Sequence, residues 1–473
     1  MLRIRYFSGE QVRKIHENAL GILERHGFLV EHRQALEILA DKGAAVDFEA
    51  RRARLRPDFV AACIKSAPGE FVLGARESQR DLSVRSDPPI PITRNGGGVD
   101  KIIDPDSGRL RNMTLADTER LYRAMDAMDG LSMVSPLYPQ DVPEKARDLK
   151  TLEALFANTS KHVNIRTYSR ANLGGLIRMG EIVAGSGENF RRKPVFSLFD
   201  SPLSPLKFPE IAVEVFLTAG RHGIPVFIAN LPIAGASGPL PLAGMVQLLH
   251  AELLAGLSIC QAAHPGAPVV LHPLAMTMDL RSGLGLSASI ESTMITAGVI
   301  QVANEIFRLP VDVHGPWSDT FLADTQSALE RTFQTLFPAF SGAASIAGFG
   351  DVQEGLAFCP VQLGIDEELI GLTLKALAGI PFDEDRLSVA AIERVGFGGD
   401  FLTDPTTRKY MRTDYYQPKI SNRLFREEWE RRGSKDLNAM AKERVLKLMD
   451  AHEPAPLDEP VRRELGKLVA SYG

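Results

Sequence analysis

Two histidines, a tryptophan and an aspartate sit where short apolar runs break off. "APVVLHP" closes on His272, and "LPVDVHGPWSD" closes on His314, Trp317 and Asp319. Other runs end in the same way at Tyr138, at Arg166 and Tyr168, at Phe199-Asp200-Ser201, at Asn230 and at Phe349-Gly350-Asp351. Gathered on one face, these residues make an aromatic wall with few charges. Such a wall suits a cation that cannot donate hydrogen bonds, because ring faces attract it electrostatically, and a quaternary ammonium group is the usual example. Packing is the plainer role for Trp317 and the phenylalanines. Ser318 and Asp319 could equally cap a helix beginning near Leu322.

Other chemistries find less support. His272 and His314 lack the cysteine or carboxylate partners of a zinc site, no H-E-x-x-H occurs, and no tightly bound metal is expected. No lysine closes an apolar run where a Schiff base would form. Ser201 and Ser341 have no evident histidine base. The glycine runs "AGFGD" (347–351) and "GFGGD" (396–400) are a separate matter, since backbone N–H groups in such loops can hold phosphate. They keep a phosphorylated metabolite open as substrate, although neither follows a P-loop or dinucleotide pattern.

The runs that carry these residues recur at 131–134, 162–166, 194–199, 225–230, 268–272, 310–314 and 343–348. Several open on a proline, which a strand tolerates at its first residue. Helical stretches such as 210–222, 243–263, 289–307 and 325–337 lie between them. Strands alternating with helices imply parallel βαβ units. Seven strands are visible and an eighth is placed near Val395-Gly396-Phe397. The expected closure is a (β/α)8 barrel of TIM type, with an open doubly wound sheet as the alternative. Functional residues of a barrel gather at the C-terminal strand ends, where the residues above fall.

Three segments are expected: a mainly helical N-terminal appendage (1–110), the barrel (111–400) and a helical C-terminal extension (401–473). In the first, a helix over 11–26 puts Val12, Ile15, Ala19, Leu20 and Leu23 on one face, and a second covers 33–41. Residues 84–98, rich in proline and glycine, read as a loop. The helical appendage and the charged extension suit subunit interfaces, so a homo-oligomer is expected.

Composition narrows the class. Of the 473 residues, 44% are hydrophobic and 24% charged, as in an ordinary soluble domain. A net charge of −5 argues against a nucleic-acid partner. Cys63, Cys260 and Cys359 are odd in number and far apart, which fits a reducing compartment. No apolar core of signal-peptide length opens the chain. The apolar stretch 243–263 is broken by Gln247, His250, Glu252 and Gln261, and reads as a buried helix in place of a membrane span. A cytoplasmic protein without a membrane partner is expected.

An ordered series of segments adds to this reading: "SPL" (204–206), "ASGPLPLAG" (236–244), "AELLAG" (251–256), "HPGAPVV" (264–270), "WSDTFLADTQSALE" (317–330), "SGAASIAGFGDVQEG" (341–355) and "LGIDEELIG" (363–371). It resembles the trimethylamine methyltransferase family, the corrinoid-dependent methyltransferases. The likeness runs from "GEQVRKIHENALGILERHGF" (9–28) to "REEWERRGSKD" (426–436). The resemblance implies a (β/α)8 barrel that moves a methyl group from an amine to the cobalt of a corrinoid (cobalamin) on a separate small protein. The trimethylamine enzymes carry pyrrolysine in the region matching 341–356, where this chain has only standard residues. A quaternary amine already leaves as a neutral tertiary amine and needs no such activation, so members without pyrrolysine are similar to glycine betaine methyltransferases. A betaine is therefore the expected substrate and the cognate corrinoid protein the expected partner. A tertiary amine or a non-catalytic betaine-binding role are the alternatives.

Within that resemblance, Trp317 would wall an N-methyl cation and His314 would bind the substrate's carboxylate. Arg166, Asn230 and His272 are further carboxylate candidates by strand-end position, with Tyr138, Phe199 and Phe349 beside them. Asp319, Gly348, Gly350, Gln353 and Glu354 fall in loops expected to face the corrinoid. No catalytic residue is assigned. The segment "FLTDPTT" (401–407) departs from relatives, which tend to have a histidine near Pro405.

Overall fold

The computed structural model describes residues 2–472. Eight parallel strands form its centre: β1 (Ile92–Asn95), β2 (Met133–Val134), β3 (His162–Ile165), β4 (Phe196–Asp200), β5 (Val226–Asn230), β6 (Val269–Pro273), β7 (Asp312–His314) and β8 (Ser345–Phe349). Their order is β6-β5-β4-β3-β2-β1-β8-β7, and a parallel bridge between Leu271 and Val311 joins β6 to β7. The sheet thus closes on itself as a (β/α)8 barrel.

After each strand the chain passes to a helix on the outside. Three helices precede the barrel: α1 (Gly9–Arg25), α2 (Arg33–Asp41) and α3 (Pro57–Ser66). The eight outer helices are α4 (Leu115–Ala127), α5 (Arg147–Asn158), α6 (Leu173–Ala184), α7 (Glu210–His222), α8 (Leu242–Ala263), α9 (Ile290–Ile306), α10 (Thr325–Ser341) and α11 (Pro360–Ala378). Two more close the chain, α12 (Leu437–Ala451) and α13 (Glu459–Ala470).

Local chemistry sets these ends. Ser8 and Gln11 form a reciprocal capping box on α1, whose buried face is Val12, Ile15, Ala19 and Leu23 as its 3.6-residue spacing requires. Asp324 accepts from the Ser327 N–H and caps α10, so the capping role open to Asp319 falls to Asp324. Helix α8 is long and apolar enough to cross a membrane, yet its residues from Met245 to Ala262, Gln247 excepted, are buried between the barrel, α1, α3 and α9.

Two expectations need correction. No strand forms near Val395-Gly396-Phe397; residues Val389–Val395 are a short helix, and Gly396 follows it with φ +67°. The eighth strand is β1, in the segment read as a loop. Its sequence, Ile-Thr-Arg-Asn, carries no apolar alternation because the barrel interior uses its polar groups. All four residues are buried. Arg94 donates to Ser135 Oγ (2.8 Å) and pairs with Asp312, while Asn95 Oδ1 accepts from the Ser135 N–H (2.8 Å).

Candidate active site

Period-two alternation along the strands decides which side chains enter the barrel. On β6, Val270 and His272 point inward; on β7, Asp312 and His314 do; on β4, Ser197 and Phe199 do. The inward rings meet in an unbroken arc. Phe199 lies 5.2 Å from His272, His272 lies 5.3 Å from His314, and His314 lies 4.7 Å from Trp317, all edge to face. Arg166 continues the arc, its guanidinium 5.6 Å from the Phe199 ring and 4.9 Å from Tyr168.

Beneath the arc is a buried ion pair with a histidine against it. Asp312 takes Arg94 on one side and His272 Nδ1 on the other, with the Ser345 hydroxyl completing its shell. Burial alone would raise the Asp312 carboxyl, but the two neighbours outweigh it and hold it well below the usual range. Burial lowers His272, against the pull of Asp312, and lowers His314 much further, with His272 and Arg94 adding to the effect. Both imidazoles are therefore neutral and offer ring faces free of positive charge.

Asp351 stands at the other end of the arc. It follows β8, is 1% exposed, and neither of its carboxyl oxygens has a hydrogen-bond partner. Burial pushes its carboxyl far above the usual range, which Arg331 and the neighbouring Trp317 N–H offset only in part. A side chain at Gly96 would collide with this carboxylate, so the glycine run after β1 is what lets it fit. Other buried polar atoms around the mouth also lack partners: Arg166 Nε, Asp200 Oδ2, His272 Nε2, His314 Nδ1 and Trp317 Nε1. Unpaired buried polar atoms are costly in a folded chain, so their concentration at one place marks a ligand site.

Of the residues expected at the site, Arg166, Phe199, His272, His314 and Trp317 come together. Tyr138 supports them: its hydroxyl donates to the Arg166 carbonyl (2.6 Å) and its ring packs against Tyr168. Asn230 is not brought in. It faces the helix layer, donating to the Leu249 carbonyl (3.2 Å) and to Glu252 (3.0 Å), because Phe227 and Ala229 take the inward positions of β5. Phe349 also packs into the core outside the barrel, rotated there by a register irregularity between Ile346 and Phe349.

The loop residues have structural tasks. Asp319 accepts from Ser287 N (2.9 Å), Ser287 Oγ (2.8 Å) and Ala288 N, tying the β7 loop to the start of α9. Gln353 and Glu354 donate their backbone N–H groups to the carbonyls of Thr320 and Ser318. Gly348 packs beside Pro316 and Trp317, and Gly350 beside Phe358. The 347–351 loop does not suit phosphate: the Gly350 N–H is already spent on Asp366 (2.6 Å), and Asp351 adds a carboxylate there. Gly396 and Gly398 stand in open solvent.

Sequence reasoning gives Arg94 and Asp312 no role and places Asp351 only as a strand-end residue. The signal for Asp312 is a charged residue within a run otherwise destined for a barrel interior, while Arg94, in a segment that reads as a loop, carries none. For Asp351 it is a carboxylate directly after a glycine-rich strand end.

Comparison with known proteins gives a consistent picture. The model of the trimethylamine methyltransferase family matches residues 1–472. A trimethylamine methyltransferase of Desulfitobacterium hafniense strain DCB-2 is 33% identical, covering 98% of this chain and 93% of its own. A glycine betaine methyltransferase of D. hafniense strain Y51 is 30% identical, covering 98% and 96%. Among solved structures, the monomethylamine methyltransferase of Methanosarcina barkeri aligns with a TM-score of 0.54 at 13% identity, over 98% of this chain and 89% of that one, a likeness of fold.

Proposed function

The chain belongs to the trimethylamine methyltransferase family and is a methyltransferase of methylated amines, and from that premise we propose that its methyl donor is a quaternary amine, glycine betaine or a related betaine, and its acceptor the Co(I) corrinoid of a partner protein. The observation that carries the reading is the Asp351 carboxyl, buried with no hydrogen bond formed to either oxygen at the end of the arc of rings. A quaternary nitrogen offers charge and no N–H, so it needs a carboxylate and ring faces and nothing that must be hydrogen-bonded. Arg166, with an unpartnered Nε at the opposite end, supplies a cation for the betaine's carboxylate.

The chain's own residues bind, orient and exclude water. The arc and Asp351 hold the cation, Arg166 sets its direction, and the walls keep water from the reacting methyl. The corrinoid, when its carrier docks, supplies a cobalt nucleophile. Once the methyl has gone the amine is neutral and loses its attraction to Asp351 and the rings. A docking face for the carrier is at hand: every loop after β3 to β8 leaves a large apolar residue exposed, namely Tyr168, Leu203, Leu240, Leu280, Phe321 and Leu356. The glycine betaine methyltransferase among the relatives supports this substrate class, and the absence of pyrrolysine supports it over trimethylamine.

The test is to mix the protein with cob(I)alamin and glycine betaine, with trimethylamine in parallel, and follow loss of the Co(I) band and growth of methylcobalamin. Turnover with betaine and none with trimethylamine is expected; turnover with trimethylamine alone would overturn the proposal. Arg166→Gln should raise KM for glycine betaine about tenfold or more, the loss of one charge-assisted contact. Tetramethylammonium, which has no carboxylate, should be bound equally by both proteins. Equal weakening of both ligands would remove Arg166 from the role.

A further inference from the structure

Two of the unpartnered atoms at the mouth belong to one ion pair, which is incompletely closed. Asp200 ends β4 and is 2% exposed. Its Oδ1 accepts from the Ser201 N–H (2.8 Å) and from one Arg166 Nη at 3.4 Å, while Oδ2 has no partner. Arg166, at the adjacent strand end, leaves Nε unpartnered. The contact stays at the limit of a hydrogen bond because Arg166 is held elsewhere. Its guanidinium lies against the Tyr168 and Phe199 rings, and Tyr138 holds its backbone carbonyl. The pair therefore presents one free acceptor and one free donor. Burial raises the Asp200 carboxyl, and Arg166 and the Ser201 N–H offset this only in part, as befits a carboxylate short of donors.

We propose that Asp200 is a specificity-determining residue, selecting betaines that carry a hydroxyl group between the methylated nitrogen and the carboxylate. The inference rests on the betaine reading above and narrows it. A hydroxyl both donates to Oδ2 and accepts from Nε through a single atom. A carboxylate only accepts, and placed against Asp200 it meets a like charge. An N–H only donates and leaves Nε bare. With the hydroxyl at the pair, the substrate's carboxylate takes the outer edge of the Arg166 guanidinium, whose side chain is 31% exposed. Glycine betaine has one methylene between its charged groups and no such donor, so it leaves Asp200 Oδ2 unpaired. A site that must hydrogen-bond a substrate hydroxyl disfavours the analogue without it, because its own buried polar groups then stay unpaired. The cation end is the same for both ligands: Asp351 and the rings of His272, His314 and Trp317 hold the methylated nitrogen.

The experiment is calorimetric titration of wild type and Asp200→Ala with γ-trimethylammoniobutyrate, its β-hydroxy analogue and tetramethylammonium. Wild type should bind the hydroxylated betaine about 10- to 100-fold more tightly than the deoxy one, the usual effect of a hydrogen bond to a charged group. In Asp200→Ala that ratio should fall to about one, as coupling between the hydroxyl and Asp200 requires. Equal affinity for the two butyrates in wild type overturns the proposal, and so does a ratio that survives in Asp200→Ala. A variant in which tetramethylammonium weakens by the same factor as the hydroxylated betaine also overturns it, since that marks a structural role. Should Asp200→Ala misfold, Asp200→Asn keeps the shape and should lose most of the ratio, because a neutral amide oxygen is the weaker acceptor. Glycine betaine, titrated alongside, separates this failure from that of the betaine reading. Binding of glycine betaine without a preference for the hydroxylated butyrate refutes the selection by Asp200 and leaves the betaine reading standing. No binding of any of the three betaines refutes both.

Discussion

Asp351→Asn should lower the affinity for glycine betaine by about 30- to 1,000-fold, or about 2–4 kcal/mol, the usual cost of removing one partner of a buried charge pair. The argument starts from the free enzyme. Burial makes the ionised carboxylate expensive, so Asp351 holds a proton well above the usual carboxylate range. A cation bound beside it reverses the preference, and binding therefore expels the proton. Calorimetry of betaine binding in buffers of different ionisation enthalpy should report close to one proton released per ligand, with affinity rising with pH up to the free carboxyl's pKa. The charged groups that face it are Arg331 from α10, Asp366 from α11 and Arg94 from β1. The variant should release no proton and lose the pH dependence. Unchanged affinity in Asp351→Asn would show that the charge partner lies elsewhere, while failure of wild type to bind any betaine would count against the betaine reading itself.

Stability should move the opposite way. A carboxyl whose folded pKa lies above its unfolded one favours the fold below the unfolded pKa, and that contribution is lost as pH rises through the folded value. Asp351 thus destabilises the free enzyme toward neutral and alkaline pH. Asp351→Asn should match or exceed the wild-type Tm there, with the gap closing in acid. A residue that costs stability and gains binding is the pattern expected of a functional group.

Much of this fold could be read from the chain because barrel strands announce themselves in a regular way. "KPVFSLF", "IPVFIAN", "APVVLHP" and "LPVDVHG" each begin at a proline, run apolar for a strand's length and stop at a polar or aromatic residue. β1 escaped because, although it too follows a proline, only its first residue, Ile92, is apolar. Its Arg94 and Asn95 are inside the barrel only because Asp312 and Ser135, over 200 and 40 residues away in the chain, are there to receive them. No local pattern encodes such a partner. The site divides along the same line. His272, His314 and Trp317 follow from strand-end position alone. Asn230 and Phe349 fail because one residue of phase, or one irregularity, turns a strand-end side chain to the other face. Asp351 lay in plain view, but its significance is the absence of a partner, and absence is a property of the packed structure.

Arg331→Met should be the most destabilising single change at the site, costing about 3–5 kcal/mol, as breaking a buried ion pair does. The guanidinium is 1% exposed and has four tasks. It pairs with Asp366 (2.9 Å), donates through Nε to Ser327 Oγ (3.2 Å), and holds the backbone carbonyls of Pro316 and Asp351. One side chain on α10 thereby clamps the loop that carries Trp317 to the loop that carries Asp351. Methionine fills the volume but leaves Asp366 buried without its cation. Asp366 is already raised by burial, with Arg331 the main offset, so the variant's carboxyl should rise further. Its folded pKa then exceeds the unfolded one by more, and by the same linkage the variant's deficit should be smallest in acid and grow as pH rises. Thermal unfolding across a pH series measures this directly. Adding Asp366→Asn removes the stranded charge and should restore most of the lost Tm, whereas a purely volumetric defect would not respond. The double variant should still transfer methyl groups poorly, because the two carbonyls remain unclamped and Trp317 and Asp351 are no longer held against each other. Recovery of stability without recovery of kcat/KM separates the clamp from the ion pair; recovery of both would mean that Arg331 serves the fold alone.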